Sequence, residues 1–250
     1  MIEDPLFYAA AVPAVLLIGL SKGGFGGAIA LLAVPLLSLR ISPIQAAGIM
    51  LPILICMDLV GLWAWRGTYN KMTLIIMIPA AIVGIVLGWF TAAYVTDAHI
   101  RLIVGCVALA FSAGYFLGGD KARQARPHSW PKGLFWGAVA GFTSFVSHAG
   151  GPPYQMYALP LRMDSKLFAG TAIIFFAAVN LVKVVPYFFL GQFNPQNLAT
   201  SAILLPLAPL ATLAGVKLVK ITPQDTFYAI TYAAVLIVSF KLIWDGLTGL

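Results

Sequence analysis

Few residues of this chain could do chemistry, and they lie where an ionisable group is costly. Asp58 sits deep in the apolar run Pro43–Trp65. Asn180 and Lys183 sit in the apolar run Leu167–Leu190, three apart and therefore on one helix face. Lys22 and His148 stand in two glycine-rich breaks. A charged side chain at membrane depth is expensive and marks a functional site by default. A lone carboxylate such as Asp58 must pair or take a proton, and Lys22 and Lys183 are its candidate partners. Asp58 and its partner are then either a proton-coupling or gating pair, a role Asn180 shares, or a structural ion pair that holds the halves together. Gln45 is a weaker polar candidate for the same role, near the start of its helix.

The two breaks point to an anion. The first reads Ser21-Lys22-Gly23-Gly24-Phe25-Gly26-Gly27 between two apolar stretches. A helix restarting near Gly27 would offer unsatisfied N–H groups and a partial positive charge. Ser21 adds a hydroxyl donor, Lys22 a full charge, and Gly23, Gly24 and Gly26 let a ligand approach the backbone. The alternative is a tight packing turn with Lys22 snorkelling to the cytoplasmic surface. The second break runs from Thr143 through Ser144, Ser147, His148, Gly150 and Gly151 to Pro152-Pro153. Either proline suits the first turn of a returning helix, where no N–H is needed. His148 is open to two readings: a cation or proton carrier near neutral pH, or a neutral imidazole bonded to a carbonyl. Gln155 and Tyr157 could line the second hairpin.

These residues need a lipid-facing scaffold. Hydrophobic residues make up 61% of the 250-residue chain and charged residues 9%, against about 25% charged in a soluble domain. That excludes a cytosolic enzyme, a secreted domain and a disordered chain. The net charge of +7 comes from short connections, with no basic helix face, so it reads as loop bias and not as nucleic-acid binding. Met1-Ile2-Glu3-Asp4-Pro5 is acidic, unlike the start of a cleavable signal. The two cysteines and three histidines show no metal-ligand spacing. No nucleophile elbow, zinc-protease motif or P-loop is present, so neither an enzyme, a metal, a cofactor nor an intrinsic ATPase is expected.

Crossing a bilayer takes about 20 helical residues. Six full spans are predicted, at Pro43–Trp65, Met72–Val95, Ile100–Leu117, Leu167–Leu190, Leu198–Val219 and Thr226–Leu247. Leu6–Leu39 and Leu134–Leu161 are each too long for one crossing and short for two, broken at their centres by Gly and Pro. Trp63, Trp65, Trp130, Trp136 and Trp244 lie near span ends and read as interface anchors. The breaks belong to an internal repeat. Gly19, Gly48 and Asp58 recur 122 residues on as Gly141, Gly170 and Asn180. Gly26-Gly27 recurs after 124 as Gly150-Gly151, and Pro79 and Gly88 after 127 as Pro206 and Gly215. The expected organisation is an N-terminal repeat over 1–119, a basic linker over 120–132 and a C-terminal repeat over 133–250.

Ten loop Lys/Arg fall on the side of that linker and two, Arg40 and Arg101, on the other. This places the linker in the cytoplasm and both termini outside. Each repeat holds five membrane segments, so the halves insert with opposite orientation, the inverted-repeat plan of secondary transporters. Both glycine-rich tips then meet near the midplane, where irregular backbone needs protein or a water-filled cavity around it.

The sequence resembles the sulfite exporter TauE/SafE family of bacterial membrane proteins. The resemblance rests on Gly19-Leu20-Ser21-Lys22-Gly23-Gly24-Phe25-Gly26-Gly27, Pro35 and Ala46-Ala47-Gly48. Their second copy, Gly150-Gly151-Pro152-Pro153, Pro160 and Ala169-Gly170-Thr171, carries it too. It covers nearly the whole chain. It implies an all-α polytopic transporter in the bacterial plasma membrane, moving sulfite or an organosulfonate outward. A passive anion channel, or a membrane-embedded enzyme or assembly partner, is the alternative. The partners expected are a small anion and the lipid bilayer, with coupling to protons and a homo-oligomeric state both left open.

Overall fold

The computed structural model describes residues 1–27, 37, 40–91, 97–119 and 124–249, without the side chains of residues 43, 44, 97 and 147. The returning arm expected after Gly27 and the linker residues 120–123 lie outside the described residues. All regular structure among the described residues is helical. The helices are α1 (Pro5–Lys22), α2 (Pro43–Ala64), α3 (Lys71–Thr91), α4 (Asp97–Leu117) and α5 (Trp130–Ser147) in the first part of the chain. After them come α6 (Gly151–Ala158), α7 (Ser165–Phe189), α8 (Pro195–Leu204), α9 (Leu207–Ile221) and α10 (Gln224–Thr248).

Short polar side chains start these helices by accepting from free first-turn amides. Ser42 does so for α2 and Asp164, 122 residues later, for α7. Asn70 accepts from the Thr73 N–H at the start of α3, and Asn194, 124 residues later, from Asn197 N–H at the start of α8, each at 2.9 Å.

Among the described residues six helices, α1, α2, α3, α4, α7 and α10, are long and apolar enough to cross a membrane, and α8 with α9, bent by 47°, forms a broken span or a re-entrant loop. Leu198–Val219 is therefore not one straight span. Pro206 and Pro209 remove two N–H donors within one turn, so the helix stops at Leu204 and restarts at Leu207. The equivalent Pro79 stands alone, and α3 runs on through it. Large apolar side chains such as Leu59, Phe90, Leu117, Phe188 and Phe189 remain exposed, as a surface bathed in lipid allows.

Packing uses glycine to bring backbones together, as membrane helices do in the absence of a hydrophobic drive between them. Helix α3 lies along α5 and α1 along α9, while α2 packs on α7 and α4 on α10. A Cβ on Gly84 would come 2.0 Å from the Ala138 carbonyl, and one on Gly141 2.0 Å from that of Ala81. In the α1–α9 contact a Cβ on Gly19 would stand 2.3 Å from Ala211 Cβ, and one on Gly215 2.3 Å from Leu20 O. Gly170 faces the Thr68 carbonyl and Gly48 that of Gln192, contacts that exchange when residues 122 and 124 apart are swapped.

Candidate functional site

The site is assembled by two helix faces. Along α2 and its capping residue, Leu54, Asp58, Gly61 and Trp65 follow the i, i+4, i+7, i+11 spacing of one stripe. On α7 the stripe Phe176, Asn180, Lys183 and Tyr187 repeats it 122 residues later. Asp58 and Asn180 meet where the stripes cross: Asn180 Nδ2 donates to Asp58 Oδ2 at 2.6 Å. Lys22, at the end of α1, donates to the other oxygen, Oδ1, and forms a buried ion pair with Asp58.

The second tip contacts α7 one turn further along. Lys183 is fully buried. Its ammonium donates to Ser144 O, Ser144 Oγ and His148 Nδ1, each at 3.2 Å. A protonated Lys183 is donor only, and opposite it His148 Nδ1 is the acceptor of a neutral imidazole. Its Nε2–H then faces the Tyr187 hydroxyl at 3.2 Å, and that hydroxyl donates to Phe145 O at 3.2 Å. His148 holds φ 53°, the left-handed cap that ends α5. Among the described residues no carboxylate pairs with Lys183.

Each tip is held by an aromatic donor. Trp65 Nε1 donates to Gly23 O at 2.9 Å, and Tyr187 Oη to Phe145 O. Donors and acceptors are both 122 residues apart. Trp65 is thus buried against a tip and is not an interface anchor, whereas Trp63, Trp130 and Trp244 are exposed. Gln155, in the first turns of α6, ties the tips together by donating Nε2–H to Phe25 O at 2.8 Å.

Between the tips lies a cavity. Lys22, Ser144, His148, Gly27, Gly151 and Asn180 give its polar wall, and Ile18, Met50, Leu54 and Phe176 its apolar wall. The centres of water-sized molecules have about 30 Å³ to move in, enough for two or three waters or one small oxyanion. Lys22 Nζ also stands 5.5 Å from the Phe176 ring centroid. Pro152 and Pro153 occupy the first turn of α6, so Gly151 is the first of its residues to bring an N–H. Ser21 Oγ, Tyr154 Oη and Gln155 Oε1 are buried around the tips without a hydrogen-bond partner among the described residues, which calls for water or a polar ligand.

The other expected residues separate by place. Gly23 and Gly24 face helices and not the cavity: a Cβ on Gly23 would stand 2.5 Å from Gly215, and one on Gly24 2.8 Å from Ala169 Cβ. Gly26 has φ +69°, and a Cβ there would meet Gln155 Nε2 at 2.8 Å. Gly150 packs on Ser144 and the Ala140 carbonyl. Gln45 bonds Asn197 Oδ1 at 3.2 Å. It lies 13 residues from Asp58 on α2, about 20 Å away along the helix, and the structure does not bring it to the site. The Ser147 side chain lies outside the described residues.

The sulfite exporter TauE/SafE family model matches residues 11–242. The chain belongs to that family. No curated protein and no solved structure matches it. Membership makes it a multi-pass membrane protein of a transporter family, with a lipid environment and a small anionic substrate. For this TauE/SafE protein the charged centre was legible in the sequence, but Tyr187, Phe176 and the role of Trp65 were not. The signal was available: Tyr187 is i+4 from Lys183, and both stripes recur 122 residues apart.

Proposed function

We propose that this protein is a secondary carrier that exports a small sulfur-containing anion, sulfite or an organosulfonate, across the bacterial plasma membrane by alternating access. One observation carries the reading: the cavity between the two tips is lined by the buried Lys22 together with Ser144, His148 and Asn180, and directly behind that wall Asp58 bonds Lys22 and Asn180 while the buried Lys183 bonds Ser144 and His148. Desolvating an anion requires a compensating cation, and Lys183 is the cation that Asp58 leaves uncompensated. In this reading the anion sits among Lys22, Ser144 and the Gly151 N–H, with Lys183 behind Ser144, and Asp58 and Asn180 join the halves and couple their movement. Counterflow tests it. Purified protein in proteoliposomes loaded with an unlabelled C2 sulfonate is expected to accumulate labelled sulfonate transiently; simple equilibration without overshoot would mark a passive channel.

The inverted arrangement is part of the proposal. The reciprocal contacts of Gly48 with Gln192 and of Gly170 with Thr68, and the paired hydrogen bonds to Gly23 O and Phe145 O, support two halves related by a twofold exchange. The distribution of loop Lys/Arg supports opposite insertion, with both termini periplasmic. Gln124→Cys, in the exposed linker, is expected to resist a membrane-impermeant thiol reagent in spheroplasts and to react after permeabilisation. Labelling without permeabilisation would reverse the topology.

A further inference from the structure

The charge of the cargo follows from the charges that surround it. Helix α1 brings Lys22, α2 brings Asp58 and α7 brings Lys183, all buried. The end of α5 brings His148, which opposite a protonated Lys183 is a neutral acceptor and adds no charge. Helix α6 brings Tyr154 and Tyr157, and α7 adds Tyr187. Cys56 on α2 is only partly buried. Lys217 and Lys220 on α9 are exposed, and Lys220 Nζ stands over Trp65, 5.4 Å from its ring centroid. The sequence of 28–36 contains no ionisable side chain. With both lysines protonated and Asp58 ionised, two positive charges and one negative charge leave the centre with one positive charge in excess.

We propose that the carrier takes its cargo as a monoanion: a sulfonate, or sulfite in its singly protonated form, and not the sulfite or sulfate dianion. The proposal rests on the anion-carrier reading above and sharpens it. A monoanion brings the centre to neutrality. A dianion leaves one negative charge uncompensated, which in a membrane interior weakens binding about 100-fold. Sulfite then brings its own proton, and the pH dependence of its flux belongs to the substrate and not to His148.

The test is counterflow in proteoliposomes with three probes over a pH series around neutrality. Methanesulfonate is a monoanion throughout, sulfate a dianion throughout, and sulfite converts from one to the other. Methanesulfonate flux is expected to stay level, sulfite flux to rise as pH falls, and sulfate to compete about 100-fold more weakly than methanesulfonate. Sulfate competing as well as methanesulfonate, or sulfite flux that rises with pH while methanesulfonate stays level, would overturn the monoanion proposal and leave the carrier reading standing. No counterflow with any of the three would sink the carrier reading itself. Asp58→Asn adds a second readout: with two uncompensated cations the sulfate-to-methanesulfonate ratio is expected to rise at least about tenfold, and sulfite flux to favour higher pH. An unchanged ratio in a folded variant would refute the charge count, and the wild-type series decides the matter where the variant does not insert.

Discussion

Lys183→Met is expected to abolish anion binding and leave the protein at least as stable as before. The ammonium is fully buried and donates to Ser144 and His148, yet none of its partners carries a negative charge. Removing a buried charge that lacks a counterion relieves a desolvation cost of several kcal/mol, and methionine matches the lysine stem in length and shape. The lost hydrogen bonds return part of that gain, at about 1 kcal/mol each. The anion, in contrast, loses the charge that makes the cavity net positive. Calorimetry with methanesulfonate is expected to show binding weakened by at least about 100-fold, while thermal unfolding in detergent shifts upward or not at all. A large fall in stability with binding retained would assign Lys183 a structural role instead. The combination of lost function and gained stability is the mark of a residue kept for its work and not for the fold.

The sequence exposed the scaffold because lipid imposes a coarse rule. A run of about 20 apolar residues can only be a helix in that solvent, so α2, α3, α4, α7 and α10 are visible in composition alone. Pro206 shows where the rule ends. The same residue at the same repeat position, Pro79, lies inside an unbroken helix. What separates them is the second proline at 209, a local hydrogen-bond count and not a matter of hydropathy. Glycines show a related limit. Gly23 and Gly24 read as places where a ligand approaches the backbone, but the approaching groups are Gly215, Ala169 and Val219. A missing side chain marks a close neighbour without naming it.

Charged residues of the centre were legible for the opposite reason: an ionisable group in an apolar run has few explanations. Lys22, Asp58, Asn180, Lys183, Ser144 and His148 all come together. Aromatic residues in apolar runs have many explanations, so Trp65 read as an anchor although it holds a tip through Gly23 O, and nothing singled out Phe176 although it lines the cavity. Periodicity combined with the repeat would have found both. The stripe through Asp58 and the stripe through Asn180 predict each other's members.

Asp58→Ala is the second large effect, and its sign on stability is opposite to that of Lys183→Met. Asp58 accepts from Lys22 on α1 and from Asn180 on α7, so three helices converge on one carboxylate. Truncating it leaves the Lys22 ammonium buried without a counterion and the Asn180 amide without an acceptor. Breaking one side of a buried pair costs about 3–5 kcal/mol. Thermal unfolding in detergent is expected to shift down accordingly, with poor recovery from the membrane. Asp58→Asn keeps an acceptor for Lys22 and is expected to lose less. The double variant Lys22→Met with Asp58→Leu removes both charges and is expected to regain most of the loss, since a buried pair can often be replaced by apolar residues of similar volume. That double variant also separates stability from transport. Lys183 would remain as the single cation, so the net charge of the centre is unchanged, but the Lys22 donor at the cavity wall is gone. Restored folding with restored methanesulfonate counterflow would show that net charge alone holds the anion; restored folding without counterflow would assign the Lys22 ammonium a direct contact with it.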